Sequence, residues 1–178
     1  MNGASRQPVA LHPGRGLRVA AARIQWGDGA ELPYLGAPLR IVLDARVHGA
    51  PRLAPAGPDG VRQLQVGLPA QADVTQIREA VQGWLQRQAR ALFEERCRHY
   101  APRLGVTVKR LSLSSATTRW GSASADGSIR LSWRLIHFGL PTIDYVVAHE
   151  LAHLREMNHS PAFWEVVRSV LPDFEHHR

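Results

Sequence analysis

His149-Glu150-Leu151-Ala152-His153, followed six residues later by His159, is the stretch on which the reading of this chain turns. On a helix, side chains four residues apart share a face, about 6 Å apart along the axis. Two imidazoles so placed can grip one metal ion between them. The glutamate directly after the first then points at the water that completes the ion's shell. This is the geometry of a zinc hydrolase whose carboxylate, Glu150, acts as general base. Nine histidines in 178 residues make an accidental H-E-x-x-H conceivable, so the surroundings must decide.

Ile143, Val146, Val147, Leu151 and Leu154 crowd the segment that starts near Pro141, which predicts a largely buried helix. Proline suits its first turn, where a missing N–H costs nothing. Two histidines and a glutamate buried on such a helix need partners, and a metal supplies one. The third ligand is Glu156 or His159. Glu156 lies seven residues after His149 on nearly the same face, but a full turn beyond His153, and a straight helix does not easily fold it back. His159 reaches the site only if the helix stops first; Asn158 is a suitable stop, since asparagine tolerates the left-handed conformation. Ser160-Pro161 then reads as the cap and first turn of a new helix through Phe163, Trp164, Val167 and Val170, ending at Pro172. His159 is favoured, giving His149, His153 and His159 as ligands of one zinc ion. Glu156 becomes a carboxylate beside the ligands or a solvated charge.

The same residues carry a family resemblance. The run His149 to Trp164, with two upstream blocks, Thr118-Arg119-Trp120-Gly121-Ser122-Ala123-Ser124 and Gly127 to Leu135, resembles the YgjP-like zinc metallopeptidases, relatives of the SprT-like and WLM metalloproteases. The resemblance covers roughly residues 31 to 174. It implies a zincin-like core in which the strand before the active-site helix forms one rim of a cleft for a peptide or protein substrate. One departure is Ala123, where the family commonly has cysteine; a three-histidine site does not need it. The spacing also matches the metzincins, but Glu156 stands where that pattern has glycine. Met1 and Met157 are the only methionines, so there is no downstream Met-turn, and that class is rejected.

Composition bounds the rest. A chain of 178 residues supports one domain with a real core, and a 44% apolar fraction is ordinary for a globular protein. No apolar run approaches a membrane span. Met1 to Gly16, interrupted by prolines and arginines, lacks the apolar core of a secretory signal. Cys97 is the only cysteine, which excludes an internal disulfide and suits a reducing, cytoplasmic location; on its helix it is expected to be buried and inert. The net charge of +7 invites a nucleic-acid partner. Yet Lys109 is the only lysine, so the excess of dispersed arginine reads as base composition of the genome as much as phosphate binding. Arg87, Arg90, Arg96 and Arg98 gather on one helix, and Arg119-Trp120 and Trp133-Arg134 interleave charge with aromatic rings. Nucleic acid is not the favoured partner.

The expected architecture is α+β, with a mixed or antiparallel sheet, a long helix, the H-E-x-x-H helix and a short C-terminal helix. Residues 1–30 are expected to form an irregular or strand-containing extension and 31–178 the metallopeptidase domain. Leu39, Ile41 and Leu43 alternate, as do Leu64, Val66 and Leu68, around a turn-rich loop from Pro51 to Gly60. Residues 74–100 read as the long helix, capped by Thr75 or Asp73 and ended by Pro102 and Gly105. Strands are expected over Val106–Leu113, Thr117–Ser122 and Ser128–Trp133, the last two joined at Asp126-Gly127. An exposed edge among residues 117–133 is expected to hold an extended peptide by strand addition, with Arg119 and Ser122 facing the cleft, or else with Gly121 a bulge and Trp120 a core plug.

The expected activity is zinc-dependent hydrolysis of peptide bonds, Glu150 taking a proton from the activated water and returning it to the leaving amine. Tyr145, one turn before His149, is either an oxyanion donor or packing. The other histidines, at 12, 48, 99, 137, 176 and 177, have no ligand spacing. Two alternatives stay open at this point: a zinc-dependent phosphohydrolase acting on nucleotides, and a metal-stabilised module that binds nucleic acid.

Overall fold

The computed structural model describes residues 9–11 and 24–177. The elements run β1 (Val9–Leu11), β2 (Glu31–Tyr34), β3 (Ala37–Leu43), β4 (Arg52–Ala54), β5 (Arg62–Val66), α1 (Val74–Leu104), β6 (Arg110–Ser114), β7 (Gly121–Ala123), β8 (Ser128–Ser132), α2 (Leu140–Ala152) and α3 (Pro161–Val170). The fold is α+β, with two four-stranded mixed sheets. Two compact units share the chain: Val19–Gln88 with Ile136–Gly139, and Ala89–Leu135 with Leu140–Arg178 and β1. Of the expected extension over residues 1–30, the structure shows β1 and residues 24–30; the remainder, His12 included, lies outside the described residues.

In the first unit the strand order is β2-β3-β5-β4, with β3 and β5 parallel. The alternation of Leu39, Ile41 and Leu43 with Leu64 and Val66 buries one face, as a period of two requires. The loop between them is not free of structure: Arg52–Ala54 pairs with β5. The β2–β3 hairpin turns through Leu35 and Gly36 at φ 51° and 80°, and a Cβ on Gly36 would lie 3.1 Å from Gly139 Cα, so only glycine fits. The first half of α1 packs Ile77, Val81, Trp84 and Leu85 here. Asp73 caps it reciprocally: its carboxylate accepts from the Gln76 N–H (2.9 Å), and its own N–H donates to the Gln76 side chain (3.3 Å).

The second unit carries the sheet β1-β7-β8-β6. Strands β6 and β8 are parallel, and β7 is antiparallel to β8, joined to it through Asp126 and Gly127 (φ 95°) as expected. Ile129 and Leu131 point into the core with Ile143, Val146, Val147 and Leu151 of α2, and Phe93 and Leu104 of α1 are fully buried. Arg96 of α1 forks the Asp144 carboxylate at 2.7 and 2.9 Å in the first turns of α2. Cys97 is buried, and burial pushes its thiol up to about 11, so it is unreactive.

Several expected boundaries move. Helix α1 continues through Pro102 to Leu104, with the proline in its last turn. Val106–Val108 is not strand: the Gly105 and Val106 N–H groups are still closing the helix, onto the carbonyls of Pro102 and Ala101. Of the second expected strand only Gly121 and Ser122 enter the ladder, which runs on to Ala123, and Trp133 begins a 3-10 turn. The sheet edge expected among residues 117–133 is not open either. Strand β1 occupies it, pairing Val9 with Ala123, Ala10 with Ser122 and Leu11 with Gly121.

Candidate metal centre

The three histidines arrive by different routes. His149 sits inside α2, and His153 falls just beyond its last residue, in a turn closed by the Glu156 N–H on the Ala152 carbonyl (3.0 Å). The helix therefore ends before Asn158, and not by a left-handed asparagine: Leu35 is the one non-glycine residue with positive φ among those described. The chain turns in time for His159 to return. Ser160 then caps α3, accepting from the Phe163 N–H (3.3 Å), with Pro161 in the first turn.

The result is a convergence of three ring nitrogens. His159 Nε2 lies 3.0 Å from His153 Nε2 and 3.1 Å from His149 Nε2. Among the described residues this is the group able to hold a metal ion, and Glu156 is not part of it. Glu156 contributes its backbone instead: the His153 Nδ1–H donates to the Glu156 carbonyl (3.0 Å). A carbonyl only accepts, so Nδ1 carries the proton and Nε2 presents a lone pair. Burial lowers the His153 pKa to about 4, which keeps the ring neutral at pH 7. Tetrahedral zinc with bonds of about 2.0–2.1 Å would set its nitrogens roughly 3.4 Å apart, within a few tenths of an ångström of this spacing. The donor set fits the ion.

Glu150 is completely buried, and neither carboxylate oxygen has a hydrogen-bond partner among the described residues. Burial alone raises its pKa well above the ordinary carboxylate range. Its carboxylate lies against the backbone of β7. A Cβ on Gly121 would come within 2.9 Å of Glu150 Cγ and 3.1 Å of Oε1, so glycine is required for close approach and is no bulge: it stays in register with Leu131. Trp120 beside it is buried.

Helix α3 braces the imidazoles. Phe163 stacks on His153 (4.4 Å between ring centres, 25°) and meets His149 edge-on at 5.0 Å; Trp164 stacks on His159 and on Phe174. In the sequence both rings read only as the apolar stripe of a short helix, which gives no sign of this bracing. Tyr145 is buried with its ring edge-on to His149 at 5.8 Å. His149 and His153 are buried and His159 is exposed, so solvent reaches the site from the His159 side.

Arg119 and Ser122 do not join this group. With Arg110 and Arg130 they line a cavity of about 790 Å³. Side chains alternate along a strand, so Ser122 faces away from the side of β7 on which Gly121 meets Glu150.

A family model described as YgjP-like, metallopeptidase domain, matches residues 14–178. Among solved structures, the crystal structure of the metallopeptidase zymogen of Pyrococcus abyssi abylysin aligns at 26% identity and a TM-score of 0.41, covering 45% of this chain and 80% of that one. None of the curated proteins matches the chain.

Proposed function

The chain belongs to the YgjP-like metallopeptidase family, and on that premise we propose that it is a zinc-dependent peptidase in which His149, His153 and His159 hold the ion and Glu150 is the general base. Peptide or protein is the substrate class, as the family requires. Bound between the three imidazoles, zinc supplies a Lewis acid that polarises the scissile carbonyl and acidifies the attacking water. Glu150 takes the proton from that water and hands it to the leaving amine. The Glu156 carbonyl holds His153 in the tautomer that ligates, and Phe163 and Trp164 hold the rings in place.

The observation that carries this reading is the Glu150 carboxylate: fully buried, without a hydrogen-bond partner among the described residues, and next in sequence to His149, one of three histidines whose ring nitrogens converge. A carboxylate so placed costs stability unless a water or a metal-linked proton gives it work. The test is cleavage of unfolded proteins and peptide libraries by the zinc-loaded chain, with and without chelator, beside Glu150→Gln. Peptide products that vanish in both controls support the assignment. Phosphate or pyrophosphate released from nucleotides, with no peptide product, would move it to a phosphohydrolase.

A further inference from the structure

The outer edge of β7 lies beside the proposed catalytic carboxylate, and this chain covers it with its own residues. The Glu150 side chain fills the space that a Cβ on Gly121 would take, and the residue opposite Gly121 on the outer side is Leu11 of β1. Gly121, Ser122 and Ala123 are all buried, as a strand with neighbours on both sides should be, whereas β6 at the other edge of the sheet is only partly covered. We propose that this edge is where an extended segment of substrate pairs, and that Val9–Leu11 holds it in the resting chain as an internal, displaceable occupant. The inference rests on the peptidase reading above.

Three features support displacement over permanent closure. Among the described residues the pairing spans three positions, Val9–Leu11, the short end of the usual range for a strand. Its backbone hydrogen bonds are the ones any extended polypeptide offers, so a substrate replaces them without loss. Tethering gives the segment a high effective concentration, so it excludes weak or folded ligands while yielding to long unstructured ones. The substrate class follows: extended, unfolded polypeptide, paired antiparallel to β7 with its backbone opposite Gly121.

The experiment compares the zinc-loaded full chain with a chain beginning at residue 13 and with the full-length double variant Ala10→Pro/Leu11→Pro. Adjacent N–H groups of a strand point to opposite sides, so the double variant removes whichever one donates to β7 without shortening the chain. Both should raise kcat/KM on an unfolded peptide by about tenfold, through a larger competent fraction. A fluorescein-labelled peptide of residues 5–15 should bind the shortened chain carrying Glu150→Gln, be displaced by unfolded polypeptide, and inhibit the active shortened chain competitively. If the shortened chain fails to fold, the double variant alone carries the kinetic comparison. Unchanged kcat/KM with no binding of the peptide overturns the proposal. If every form lacks peptidase activity but the labelled peptide still binds and is competed off, the edge and its occupant stand while the peptidase reading fails.

Discussion

Glu150 is the residue whose environment asks most for an explanation, since nothing among the described residues satisfies either of its oxygens. Replacing it by glutamine keeps size and hydrogen-bonding capacity but removes the base, so turnover should fall at least about a hundredfold with the zinc content unchanged. Gly121→Ala tests the close approach from the other side. The new Cβ would press on the Glu150 side chain and on Leu131 at 3.1 Å, so turnover should drop by about a hundredfold, the scale of a 1 Å misplacement, with zinc retained. His153 sets a pH dependence of the metal-free chain. Its folded pKa, about 4, lies below the ordinary 6.5, so the unfolded state binds the proton more readily. The stability this ring contributes is complete above about pH 6.5 and is lost as pH falls toward 4. Thermal melts of the metal-free chain across that window should show Tm falling with pH, and His153→Ala should flatten the slope. Glu150 runs the other way, because a carboxyl with a raised pKa favours folding as it protonates; Glu150→Gln as background separates the two.

At the level of elements, α2 and α3 were legible in the sequence because each states its ends and its face locally: Pro141 and Ser160-Pro161 at the starts, apolar residues at helical spacing between. The point at which α2 stops was not, since it is set by a turn that satisfies the Ala152 carbonyl and brings His159 back. The place and partner of strand β1 left no signal. Three residues have no periodicity, and their partner β7 lies about 110 positions along the chain. The role of α3 was hidden for a different reason: a ring that stacks on a ligand and a ring that fills a core give the same apolar pattern. It can be tested directly. Phe163 is fully buried against His153 and His149. Phe163→Ala should cost about 3–5 kcal/mol of stability. Phe163→Leu keeps most of the volume but loses the stacking, and should weaken zinc affinity by about tenfold, on the scale seen when groups around ligands are removed. Competition with a chromophoric chelator measures it.

For the whole molecule, the α+β class followed from the order of strand-like and helical segments, but its division into two sheets did not. Alternating apolar residues show that a strand has a buried face, and not which other strands share it. The net charge of +7 finds only a partial structural account: Arg96 is held by Asp144, and Arg110, Arg119 and Arg130 line one cavity. No helix among the described residues is long and apolar enough to cross a membrane. A metal held by groups from α2, the turn after it and the residue before the cap of α3 should tie those segments together. Zinc that binds the folded chain alone raises stability by mass action, so a chelator should lower Tm and returned zinc should restore it. Whether His149, His153 and His159 share one zinc ion is decided by anomalous diffraction at the zinc edge from crystals grown with stoichiometric zinc. One strong peak should appear, bonded to the three Nε2 atoms and next to the Glu150 carboxylate. A peak bonded to Glu156 in place of His159, or no peak between the histidines, would contradict it.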